Sequence, residues 1–296
     1  MKVEVKKIDK LKRIIKVEVG GDEFLREKND FYHQNSQQLK VPGFRPGTAP
    51  LDVLEKHHGK LLKEEFLKKI LPVFYRKAVE ENKILPAGLP KIYDIKLDTG
   101  NLSFSAEFES RPEIELKESS YKGIKIKNKV IAVKDSEIEK VLSNLKEGVK
   151  KISNKDLDDE SLARWAAYPN FAELREAVKG QLYVEKLRER RQKIDNQIKA
   201  QLLAAVNIDL PKSEVERHRR ELVEREIYNL RMQGIPAEDI EKYRKDVEEK
   251  LQTVAEEEIK LFYILEAIAN NEGIKIDNNL AEIILGFILS HAQYES

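Results

Sequence analysis

Residues 40–50 read K-V-P-G-F-R-P-G-T-A-P, from Lys40 to Pro50. One large apolar side chain, Phe44, and one fixed cation, Arg45, stand among three prolines and two glycines. Pro42, Pro46 and Pro50 pin φ and remove backbone donors. Gly43 and Gly47 can take the positive φ angles of tight turns. Val41, Arg45 and Ala49 each precede a proline and lean to extended geometry. The spacing predicts a stiff loop between two helices that holds Phe44 and Arg45 towards solvent. An exposed aromatic beside an arginine has the composition of a binding hot spot. The plainer alternative is an ordinary helix–helix connection with Phe44 folded back into the core.

The segments around this loop define an α+β arrangement. Before it, Val3 and Val5 alternate with charges, as do Ile15, Val17 and Val19, and Gly20-Gly21 ends the run. Such alternation predicts two half-buried strands. A helix capped by Asp22 comes next, with Phe24, Leu25, Phe31, Tyr32 and Leu39 as its apolar stripe. After the loop, Thr48 and Pro50 predict a short helix to His57, closed by Gly59. A second helix is expected over about Lys60 to Asn82, with Leu62, Phe66, Ile70, Phe74 and Val79 on one side and a kink at Pro72. Ile92 to Leu97 and Leu102 to Phe108 read as two more strands. Strands, helices, then strands predict an antiparallel sheet with helices.

The rest of the chain changes character. From Glu113 to Val133 it reads as an extended strap rather than a core. A helix is expected from Asp135 to about Lys150, then a polar connector to Ser161. From Pro169 onward the pattern is almost wholly helical. A long helix is predicted from about Asn170 to Ala205, and its highly charged middle, Glu185 to Lys193, predicts a stretch held away from any core. Two further helices start near Pro211 and Pro236, and a last one comes after Asp277. The fold expected is therefore an α+β domain over residues 1–112, an extended linker and helix over 113–161, and an all-α domain of elongated helical arms over 162–296.

Composition narrows the function classes. The 296 residues suffice for about two domains. Charged residues make up 36%, yet the formal net charge is only +1, so no global field draws the chain to nucleic acid. Cysteine is absent, which excludes disulfides and thiolate metal sites. The N-terminus has no signal-peptide pattern, and no apolar run is long enough for a membrane span. A cytoplasmic protein without membrane contact is expected. His57 and His58 are adjacent and cannot face one metal; His33, His218 and His291 stand alone, and surface roles are expected for all five. No glycine-rich phosphate loop or paired acid and base is present. The expectation is no catalytic residue, no metal and no cofactor.

The string Gly43-Phe44-Arg45-x-Gly47-x-x-Pro50 resembles the ribosome-docking signature of the trigger factor family, the bacterial chaperones of the nascent-chain exit. The resemblance extends to Asn82–Pro90 (N-K-I-L-P-A-G-L-P), to Phe108–Leu116 (F-E-S-R-P-E-I-E-L), and to Leu162–Val178 with Trp165, Phe171 and Leu174. Pro46 stands where the family usually has Lys. The family usually carries an FKBP-type prolyl isomerase domain between its docking and helical domains; here only the connector of Lys150 to Ser161 occupies that place. It also continues beyond the position of Ser296 into a second arm, so the resemblance implies a reduced or truncated member.

The resemblance implies an ATP-independent chaperone without isomerase activity. Gly43, Phe44, Arg45, Pro46 and Gly47 would dock on an exit-tunnel protein and nearby rRNA. Lys40, Lys60 and Lys63 could add contacts to RNA phosphates, although plain solvation is the favoured reading of them. Nascent or unfolded polypeptides would lie on apolar side chains of the helical arms, with Tyr228, Met232, Leu251, Phe262, Tyr263, Phe287 and Leu289 as candidates. Packing of the arms on one another is the competing role for these seven. Trp165 is read as a core anchor. Self-association into a homodimer through the apolar cradle is compatible with this reading. A helical scaffold for one defined partner is the alternative, and it leaves the loop without a role.

Overall fold

The computed structural model describes residues 1–36, 39–45, 48–128, 130–154, 156–277 and 279–295. In chain order the elements are β1 (Lys2–Lys7), β2 (Lys12–Gly20), α1 (Asp22–Ser36), α2 (Leu51–Glu81), β3 (Lys91–Leu97), β4 (Asn101–Glu109) and β5 (Lys125–Lys127). They continue with α3 (Asp135–Ser153), α4 (Asp159–Trp165), α5 (Phe171–Ala205), α6 (Lys212–Met232), α7 (Ala237–Glu272), α8 (Leu280–Ser290) and β6 (Gln293–Glu295). Contacts gather Met1–Ile114 and Ile208–Tyr263 into one unit, and Glu115–Asn207 and Ile264–Ser296 into another.

In the first unit, β1-β2-β4-β3 form a four-stranded antiparallel sheet. The alternation in β2 decides which face is covered. Ile15, Val17 and Val19 are buried, while Lys16 and Glu18 between them are exposed. Their partners across the ladder, Ala106, Phe104 and Leu102 of β4, are buried on the same face. Such cross-strand apolar pairs stabilise a sheet. Phe24 of α1 and Phe66 and Phe74 of α2 fill the layer above. Phe24 and Phe66 meet edge to face at 5.9 Å, a favoured aromatic arrangement. In β3 the register slips between Tyr93 and Lys96, where Asp94 takes φ +52° in a bulge.

Three expectations about helices and linker need correction. The segment after the loop is, as expected, two helices that meet at a kink, at His58 (φ −127°, ψ 16°). The second kink, expected at Pro72, does not occur. Leu62, Phe66, Ile70 and Phe74 all reach the same core, so burial carries the helix through Pro72. The strap of 113–133 contributes to a core after all, because Tyr121, Ile124 and Ile126 are buried. There β5 pairs in parallel with β6, at the far end of the sequence. Its other edge is held by α5: Gln197 Oε1 accepts from the Lys127 N–H (2.9 Å) and Gln201 Nε2 donates to the Lys125 carbonyl (2.8 Å). Trp165, finally, is half-exposed rather than a core anchor; its neighbours Leu162 and Ala163 take the buried positions of the short helix α4.

The second unit builds a core from α3, α4 and the start of α5, with Ile138, Leu142, Val149, Leu162, Leu174 and Val178. Helix ends are capped by side chains as the residue types predict. Asp158 accepts from the Ser161 N–H at the start of α4, and Asn170 from the Glu173 N–H at the start of α5. Between Val178 and Ile194 no described side chain of α5 is buried, as its charged middle predicts. No helix among the described residues is long and apolar enough to cross a membrane.

Candidate functional site

The loop after α1 is tied down on both sides of Phe44. Val41 is buried in the core of the sheet and helices, and Leu39 and Ala49 pack against that core. The Phe44 N–H donates to the Val41 carbonyl (3.1 Å), closing a four-residue turn. Pro42 fills the second position and Gly43 the third, with φ +84°. That is the residue order of a type II turn, in which the third position demands positive φ. Past the tip, the Thr48 N–H and Oγ1 both donate to the Arg45 carbonyl, at 3.0 and 2.7 Å. The Pro50 carbonyl accepts from the Val53 and Leu54 N–H groups and starts α2.

His58 adds a tie that sequence reasoning missed. Its Nε2 lies 2.9 Å from the Lys40 carbonyl. A carbonyl only accepts, so Nε2 is the donor. The departure from helical geometry at His58 thus falls where α2 reaches back to the start of the loop. Nothing local signals this, since His57 and His58 look alike in sequence. Nearby, Lys28 donates to Glu55 of α2 (2.8 Å) and holds its carboxyl below the usual carboxylate range. Burial, and then Glu55, push the Tyr32 phenol upward.

The result is a braced tip. Phe44 is 42% exposed, and Arg45 is exposed with no ion-pair partner among the described residues. The fold-back of Phe44 into the core does not occur. Pro46 and Gly47, the other two positions of the expected site, lie outside the described residues. Lys40, Lys60 and Lys63 are exposed.

In the same unit, α6 and α7 run antiparallel. Val223 and Ile227 share a cluster with Ile240 near the turn, and Val215 and Leu222 share another with Ala255, Ile259 and Tyr263. His218 Nε2 to Glu258 (2.6 Å) and Arg244 to Glu224 (3.0 Å) fix the same register. The base of the pair is bonded to the sheet. Glu109, the last residue of β4, accepts from the Ser213 N–H (2.7 Å) and Oγ (2.5 Å) in the first turn of α6. A carboxylate there satisfies a free amide and opposes the positive end of the helix dipole.

The seven apolar candidates separate into three groups. Tyr228 (61% exposed) and Met232 (71%) stand four residues apart on the last turns of α6, hence on one face, and Phe262 on α7 is also exposed. Leu251 is half-buried and packs against both clusters of the pair. Tyr263 is a correction: it is 3% exposed, and its hydroxyl donates to the buried Glu214 carboxylate, so it offers no open face. It lies on the side of α7 that meets Val215, a side that helical spacing alone does not separate from that of Phe262. In the second unit Phe287 and Leu289 are half-buried. The Phe287 ring lies 4.5 Å from that of His291, with Lys122 Nζ 5.9 Å from its centre.

The first unit thus combines a sheet with two covering helices, a proline-braced aromatic tip and a helix pair with open apolar side chains. Comparison with known proteins narrows the class. The family model described as bacterial trigger factor protein matches residues 1–145, and that of the trigger factor C-terminus matches residues 170–284. The chain belongs to the trigger factor family. It is 36% identical over 149 residues to the trigger factor of Acetivibrio thermocellus, covering 50% of this chain and 34% of that one. It is 37% identical over 148 residues to that of Mycobacteroides abscessus, covering 49% and 30%. The chain thus spans about a third of the length of the curated relatives it matches. A solved structure from work on "Promiscuous Substrate Recognition in Folding and Assembly Activities of the Trigger Factor Chaperone" matches with a TM-score of 0.55 at 15% identity, over 94% of this chain and 87% of that one. At that identity the likeness shows the fold. Between the two family matches lie only residues 146–169, the end of α3 and all of α4. A domain needs about 50 residues or more, so no prolyl isomerase domain fits there.

Proposed function

We propose that this chain is an ATP-independent chaperone that docks at the ribosomal exit tunnel and holds nascent or unfolded polypeptides, without isomerase activity. In this reading residues 1–112 dock, residues 113–161 link, and residues 162–296 hold the client. The single observation that carries the docking half is the exposed Phe44-Arg45 pair on a loop tied at Val41, Lys40 and Thr48. Such a tip loses little conformational freedom on binding, which favours affinity. Phe44 supplies an apolar plug and Arg45 a forked donor for a carboxylate or phosphate. The holding half is supported by Tyr228, Met232 and Phe262, whose apolar bodies stay open. Docking raises the local concentration of nascent chain, which offsets weak single-site affinity.

The test is co-sedimentation with 70S ribosomes, comparing the parent with Phe44→Ala and Arg45→Ala. The expected result is a pelleted fraction for the parent that falls about tenfold or more for Phe44→Ala, the scale of one hot-spot truncation. A parent that pellets no better than either variant removes the docking role.

A further inference from the structure

The second unit carries a groove that this reading leaves unused. It encloses about 910 Å³ between the segment 130–132 after β5 and the middle of α5. Val130, Ile131 and Ala132 form one wall, and Ile194 and Ala200 contribute to the other. Val130 is 93% exposed, so a large apolar side chain lies open beside the cavity. A hydrogen bond from Lys186 Nζ to the Ala132 carbonyl ties this wall to α5, and before the wall the Lys127 backbone is bonded through both its N–H and its carbonyl to Gln197.

The charges around the groove are mostly positive. Lys127, Lys186, Arg190 and Lys193 line it, against a single carboxylate, Glu189. Two of the four cations are already engaged. Lys186 donates to Glu137 (2.6 Å) and to the Ala132 carbonyl (2.8 Å), and Lys193 pairs with Glu189 at 3.5 Å. Lys127 and Arg190 have no ion-pair partner among the described residues. The backbone of the same wall is open as well. Among the described residues, no N–H of Val130 to Val133 donates to another backbone group.

We propose that this groove binds a short acidic segment of an unfolded polypeptide. Two carboxylates pair with Lys127 and Arg190, and an apolar side chain between them packs on Val130. The free N–H groups of the wall donate to carbonyls of the segment, which lies alongside as an extended strand, a mode in which backbone bonds give affinity and side chains give selectivity. The proposal rests on the reading of the chain as a holder of unfolded polypeptide, and it names one class of segment that is held.

The test uses the whole chain and two dye-labelled peptides, one alternating Glu with Leu and its twin with Lys in place of Glu. Fluorescence anisotropy at low salt should show the acidic peptide binding about tenfold tighter, the scale of two partly screened charge pairs. Added salt should shrink that preference. The double reversal Lys127→Glu with Arg190→Glu should abolish or invert it. Val130→Asp, at an open position that folding does not need, should weaken the acidic peptide several-fold and serves if the double variant folds poorly. Equal binding of the two peptides, or a preference that survives the reversal, overturns the proposal. So does an alternating Glu-Ser peptide that binds as tightly as the Glu-Leu one. A single-stranded RNA oligonucleotide that displaces the peptide better than unlabelled peptide does would make the groove a nucleic-acid surface, and the proposal falls. Suppression of aggregation of a diluted, denatured enzyme separates the two readings. If the parent suppresses aggregation but shows no acidic preference, only the groove assignment fails. If it suppresses nothing, the holding reading fails on its own.

Discussion

Two long, charge-rich helices of the first unit, α2 and α6, place their large side chains oppositely. α2 lies on the sheet beside α1, and Phe66, Ile70, Phe74 and Tyr75 are inside. α6 packs chiefly on α7, buries Val215, Leu222, Val223 and Ile227, and leaves Tyr228 and Met232 in solvent. A helix on a sheet is covered over a wide arc and internalises its aromatics. A helix against one partner is covered over a narrow stripe, and large residues just outside that stripe stay open. The apolar surface left open in this unit is thus a consequence of thin packing at the helix pair.

The largest expected effect tests that difference directly. Phe74→Ala should cost about 3–5 kcal/mol, the range for removing a buried phenyl ring from a packed core. Leu222→Ala in the helix pair should cost about 2–3 kcal/mol, because a two-helix seam closes more easily around a deleted side chain. Urea midpoints at constant slope measure both. Equal losses would mean that the pair is packed as tightly as the core, and the account of its open rim would fail.

A smaller effect sharpens the comparison from inside the core. The Tyr75 hydroxyl is buried and has no hydrogen-bond partner among the described residues, while its ring meets Phe108 edge to face at 5.6 Å. Tyr75→Phe keeps the ring and removes the stranded hydroxyl, so stability should rise by about 1 kcal/mol. Burial also raises the phenol of Tyr75, as it does that of Tyr32. A group whose folded pKa lies above its unfolded value, about 10 for tyrosine, stabilises the fold below that value. That contribution is lost as pH climbs past 10 towards the folded value. Thermal melts between neutral pH and pH 11 should show this alkaline loss in the parent and a shallower one in Tyr75→Phe. An unchanged slope would show that the hydroxyl is solvated in solution.

These same elements show what can be read from the chain alone. The sheet was readable because its signal is local: Ile15, Val17 and Val19 alternate with Lys16 and Glu18, and Leu102, Phe104, Ala106 and Phe108 alternate with Ser103, Ser105 and Glu107. The braced tip was readable for the same reason, since Pro42 and Gly43 carry their backbone preferences wherever they stand. What failed was every feature set by a distant partner. The two-stranded pairing of Lys125 with Gln293 joins residues far apart in sequence, and no pattern in either strand announces the other. Tyr263 is buried in a cluster with Val215 and bonded to Glu214, residues of α6 that no helical spacing links to it. Trp165 looked like an anchor by size, yet the short helix α4 turns Leu162 and Ala163 inward instead. The tie from His58 to the Lys40 carbonyl joins residues 18 apart, and no local pattern announces it, although the kink itself falls where the sequence places it.

The smallest expected effect on stability carries the most information about function. Tyr228 and Met232 make little buried contact, so Tyr228→Ser combined with Met232→Ser should change unfolding free energy by no more than about 0.5 kcal/mol per site. If the open rim of the helix pair holds unfolded chains, the same variant should suppress aggregation of a denatured enzyme markedly less than the parent at equal concentration. Light scattering after dilution from denaturant measures the second quantity, and urea unfolding the first. Loss of holding with stability retained ties the activity to the thinly packed end of α6. Full holding by the variant would shift the client surface away from this pair, towards Phe262 or the groove beside Val130. A variant that loses stability as well would show that the rim is covered in solution, in the way that association of two copies through these side chains would cover it.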